Sequence, residues 1–111
     1  MAYDEDLATR MRDLLEGQAA VTEKKMFGGL AFLVGGNMAI AASGQGGVLV
    51  RVDPAESDEL VATTKAEVAV MRGRPMAGWL RLTSEDVGSQ AELESWVERG
   101  SAYARSLPPK R

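Results

Sequence analysis

The sequence predicts an α+β fold in two layers, with helices packed on one face of a mostly antiparallel five-stranded sheet in the order α-β-β-β-α-β-β-α. Three observations carry this. Apolar residues recur at helical spacing near both ends of the chain, short apolar runs cut by glycine fill the middle, and turns rather than long connections link those runs. At 111 residues the chain has the length of one domain, spanning 1–111, and can bury a core without covalent staples.

Asp4 is placed to cap a first helix, in which Leu7, Met11, Leu14 and Leu15 form one stripe before Gly17 stops it. Residues 26–34 read as a strand, Gly35-Gly36-Asn37 as a turn and 37–42 as the partner strand. After Ser43-Gly44-Gln45-Gly46-Gly47, residues 48–52 complete a three-strand meander. Gly28-Gly29 marks either a bulge or a place where another backbone comes close. Asp53-Pro54-Ala55-Glu56 joins an N-cap acid to a proline at the first helical position, so a short helix runs to about Lys65. Residues 67–71 and 77–83 read as two more strands, joined across the turn Arg72-Gly73-Arg74-Pro75. Ser89-Gln90-Ala91-Glu92 is a capping box. Leu93, Trp96, Val97, Gly100, Tyr103, Ala104 and Leu107 then keep one helical face until Pro108-Pro109, and Lys110-Arg111 forms a charged tail.

The chain has neither histidine nor cysteine, which removes thiolate and imidazole metal sites, Ser-His-Asp triads, Cys-His dyads and haem or iron–sulfur ligation. What stays open to catalysis is carboxylate, lysine, tyrosine or arginine chemistry, or a hard cation held by acids. The acids of the last helix, Glu92, Glu94 and Glu98, read as a solvated face. The glycine-rich stretches lack a phosphate loop's Lys-Ser/Thr ending and lead into no helix, so hairpin turns explain them. The acidic N-terminus has no secretory pattern and no stretch is apolar enough to span a bilayer, so the expectation is a cytoplasmic protein without membrane contact.

The formal net charge of −3 conceals a segregation. The helical segments sum to −9 and the sheet segments to +6, counted from the same sequence. Alternation turns Val48, Val50 and Val52 toward the helices and Leu49 and Arg51 away; Leu80 and Leu82 point in, Trp79 and Arg81 out. The far face thus presents Leu49, Arg51, Trp79 and Arg81, with Arg72 and Arg74 at the adjoining turn. Three readings fit that mixture: a solvated face with arginines on amphipathic stems, a symmetric dimer interface, or a surface for an anionic partner. No helix is basic enough for a major groove, so any nucleic-acid contact would run through the sheet and hairpins.

Met26-Phe27-Gly28-Gly29-Leu30-Ala31-Phe32, Gly36-Asn37-Met38, Leu49-Val50-Arg51-Val52, Gly73-Arg74-Pro75-Met76-Ala77-Gly78-Trp79 and Ser106-Leu107-Pro108-Pro109-Lys110 together resemble the N-terminal domain of the TfoX/Sxy family, across nearly the whole chain. The resemblance implies a two-layer fold similar to secretion-chaperone-like and YgaC-like domains. Full-length members regulate natural competence, acting on transcription with a cyclic-AMP receptor protein, and carry a C-terminal domain, so the expectation here is a stand-alone N-terminal domain without it. The shared motifs are fold-forming residue types, so the resemblance implies no catalytic residue. The expectation is therefore a non-enzymatic interaction module, homodimeric, with no cofactor and no metal. It would contact a protein of the transcription machinery through Arg51, Arg72, Arg74, Trp79 and Arg81. Direct nucleic-acid binding by the basic sheet face and hairpin is the alternative.

Overall fold

The structure is a computed structural model that describes residues 3–26 and 28–109. Phe27, within the expected first strand, and the expected Lys110-Arg111 tail lie outside the described residues, as do Met1 and Ala2. Asp4 caps α1 (Glu5–Leu15) as its side chain predicts, its carboxylate accepting the Asp6 and Leu7 amides at 3.0 and 3.1 Å. The expected strand over 26–34 is divided. Met26 ends an unexpected strand, β1 (Val21–Met26), and Gly29 begins β2 (Gly29–Val34). β1 escapes sequence reading because Val-Thr-Glu-Lys-Lys-Met has no apolar alternation: it is an exposed edge strand, where lysines discourage pairing with other chains. Of the two readings of Gly28-Gly29, close approach holds for Gly29, where a Cβ would lie 2.1 Å from the Ala42 carbonyl oxygen.

β3 (Asn37–Ala42) and β4 (Val48–Arg51) follow as expected. Asp53 accepts the Ala55 amide and starts a 3-10 turn (Pro54–Glu56) that runs into α2 (Ser57–Thr63), two residues shorter than expected. β5 (Glu67–Met71) and β6 (Arg74–Leu82) meet in a two-residue turn rather than the expected four. Arg72 and Gly73 have φ of +52° and +77°, the positive pair of a type I′ hairpin, and Pro75 lies within β6 opposite Val70. β4 pairs with β6 only through Trp79–Leu82, so Pro75 interrupts no ladder on that side. Ser89 caps α3 (Gln90–Ser106) by accepting the Glu92 amide at 3.1 Å.

The sheet therefore has six strands, not five. Its order is β1-β2-β3-β4-β6-β5, antiparallel throughout, in a chain that runs α-β-β-β-β-α-β-β-α. Helices cover one face. Met11, Leu93, Trp96 and Val97 meet Phe32, Ile40, Val50 and Leu80 in the main core. Gly100 lets α3 lie directly on β3, and the Asn37 amide closes that contact by donating to the Ala104 and Pro108 carbonyls.

The opposite face carries a second, smaller cluster of Ala31, Met38, Ala41, Leu49 and Ala69, flanked by Met26, Leu33 and Trp79. In a flat sheet of this order, β1 and β5 would stand five strand spacings apart, about 24 Å. Yet Met26 of β1 shares one cleft with Val70 of β5. The sheet is therefore curled, and this face is concave. Two irregularities lie along the curl: a bulge in β3 opposite Phe32/Leu33, and a longer break between Val68/Ala69 and β6. At the latter, Gly78 takes φ +86°, its carbonyl accepts the Val52 amide, and its own amide donates to the buried Ser57 hydroxyl. α2 thus pins the kink from which the β5–β6 hairpin swings over.

Candidate functional site

The curl corrects one expectation. Leu49 lies on the far face but is only 5% exposed, because the hairpin brings Ala69 into the cluster around it. The face is a closed trough, not an open platform. The arginines and the tryptophan line its ends and rim.

Arg51 and Trp79 are direct partners in the β4–β6 ladder. The Arg51 guanidinium carbon stands 5.2 Å from the centroid of the Trp79 side chain's ring system and 5.6 Å from that of Tyr103 on α3, so it is stacked between two π-faces. Arg81, two residues along the same strand and opposite Leu49, donates from Nη2 to Ser43 Oγ at 3.0 Å. Arg72 comes down from the hairpin turn and lines the same cleft as Arg81, while Arg74 does not line it. The five residues thus divide into an Arg51–Trp79 stack, an Arg72–Arg81 pair of cleft walls, and Arg74 on the outer hairpin.

The cleft has a volume of about 330 Å³. Met26, Ala41 and Leu49 give it an apolar floor, Val70 overhangs it, and the Ser43-Gly44-Gln45 turn closes one end. Among the described residues, no carboxylate lines it. Glu67 is the ladder partner of Arg81, but among the described residues the one ion pair is Arg12–Glu23, between α1 and β1. From the edge of the cleft outward, the hairpin exposes Val70 at 63% and Met76 at 37%, the two large apolar side chains most open to solvent among the described residues. Arg72 and Arg74 bracket the turn beside them.

Sequence reasoning misses Met26, Ser43, Gln45 and Val70, because only the curl brings β1 and the β3–β4 turn to the hairpin. Tyr103 reads from its helical spacing as a packing residue; it is half-buried and holds Arg51. Trp96, read the same way, is core. Among the described residues no group of three acids is placed to hold a metal ion, and no helix is long and apolar enough to cross a membrane.

In comparison with known families, the model of the TfoX N-terminal domain matches residues 13–104. No curated protein and no solved structure matches the chain.

Proposed function

The chain belongs to the TfoX N-terminal domain family, and from that premise we propose that it is a non-enzymatic, cytoplasmic protein-interaction module whose contact surface is the β5–β6 hairpin. The partner is a protein of the transcription machinery that offers an apolar patch edged with acids. The observation that carries this reading is the hairpin itself. Val70 and Met76 are exposed beside two arginines, a mixture that gains free energy when covered.

Arg72 adds a second argument. The first position of a type I′ turn favours Asn, Asp or Gly, and a long side chain held at φ +52° costs about 1–2 kcal/mol. Turn stability alone favours a different residue there, which supports a contact role for its guanidinium.

The test separates folding from contact. Arg72→Asn should raise the melting temperature while weakening capture of purified RNA polymerase or cyclic-AMP receptor protein, and Arg74→Gln should weaken capture with little change in stability. Affinity should fall by about fivefold or more for each and decline with salt. Capture unchanged in both variants would sink the reading. Retardation of duplex DNA at low salt, abolished by the same substitutions, would instead establish direct nucleic-acid binding.

A further inference from the structure

We infer that the cleft between the β3–β4 turn and the β5–β6 hairpin binds a small organic carboxylate with an apolar body. Its volume, about 330 Å³, falls at the lower end of small-molecule sites, roughly 300–1,000 Å³. Its chemistry has two halves. Met26, Ala41, Leu49 and Val70 favour hydrocarbon, while Arg72 and Arg81 enter with no acid of the described residues in the lining; Glu67, the ladder partner of Arg81, lines the adjoining hollow and makes no ion pair with it.

A guanidinium presents paired N–H groups that match the two oxygens of a carboxylate. Arg81 spends one donor on Ser43 Oγ, which sets its orientation, and has no other protein acceptor among the described residues. Inorganic phosphate would leave the floor uncovered, and an alcohol would leave the guanidinium groups unpaired. The larger hollow between α1 and β1 is a poorer receptor. Its Arg12 is already gripped by Glu23, and Asp13 and Glu16 line it.

Arg72 and Val70 serve both the cleft and the contact surface, and the two roles are told apart by Arg81, inside the cleft, and Arg74, outside it. Isotope-labelled protein is titrated with hexanoate, hexanol and inorganic phosphate while backbone amides are followed by NMR. Hexanoate should shift the amides of Ser43, Gly44, Gln45 and Val70 saturably and bind more tightly than either comparison probe. Arg81→Gln should weaken it by about tenfold, and Arg74→Gln should leave it unchanged while partner capture falls. Should Arg81→Gln fail to fold, Arg72→Gln at the exposed turn makes the same test. Absent shifts, hexanol or phosphate binding equally well, or full affinity without the arginine would each overturn the inference.

Discussion

Arg12 grips Glu23 with two N–H groups, at 2.6 and 2.8 Å, and so ties α1 to the edge strand β1. These bonds hold the Glu23 carboxyl below the ordinary glutamate range and push the Arg12 guanidinium further up. With its folded-state value depressed, Glu23 contributes its stability in full above the unfolded carboxyl's range, about pH 4, and loses it as pH falls through the lower folded value. Glu23→Gln should therefore lower the urea midpoint slightly at neutral pH. The gap from the parent protein should close as pH falls through the lowered folded-state value and shrink at high salt. A gap independent of pH would show that the pair stabilises by packing alone. The residues of the trough follow a different logic. Strand alternation puts Arg51 and Trp79 on one face, and only that half of the arrangement was legible in the sequence, since the pairing of β4 with β6 was not read from it. The other half was not, since nothing in the spacing of α3 says that Tyr103 reaches past the end of β4 to the same guanidinium.

α3 rests on the sheet through a position without a side chain. A Cβ at Gly100 would lie 2.4 Å from the Ala39 carbonyl oxygen and 3.0 Å from its carbon, both backbone and unable to move alone. In an exposed helix, glycine to alanine gains about 1 kcal/mol. Here the helix must lift from β3 instead, an overpacking cost of about 1–3 kcal/mol or more that also strains the Asn37 bonds to Ala104 and Pro108. Gly100→Ala is thus expected to destabilise by up to about 2 kcal/mol net, read as a lower melting temperature; a rise would show that α3 has room to shift. Elements with their own apolar pattern or cap, namely α1, β3, β4 and α3, were legible in the sequence because those signals are local. β1 was not, because an edge strand with both faces wet has no pattern to read. The hairpin's true start at Arg74 was hidden too, because Pro75 argues against a strand unless its other neighbour is known to be missing.

At the scale of the molecule, the curl turns a two-layer fold into one with a core on each side of the sheet. Alternation assigns Leu49 to the far face, and the structure places Ala31 and Ala41 beside it in the same cluster. Whether that face is open or concave depends on twist accumulated over six strands and on the kink at Gly78, which no single segment records. The small residues carry the trace of it: Ala31, Ala41 and Ala69 all lie in the concave cluster, where there is least volume to fill. This makes the curvature testable from one position. On an open sheet face, Ala69→Leu would be neutral or gain slightly from strand propensity, within about 1 kcal/mol. In the trough Ala69 is fully buried with Leu49 and Met38, so a leucine there has to push the hairpin outward. The expected cost is about 1–3 kcal/mol in chemical denaturation. Faster hydrogen exchange should appear at residues 67–77 while β3 and β4 stay protected, because the hairpin opens about Gly78 before the central strands separate. Unchanged stability and exchange would mean that the trough stands open in solution, and the cleft that depends on its closure would lose its overhanging wall.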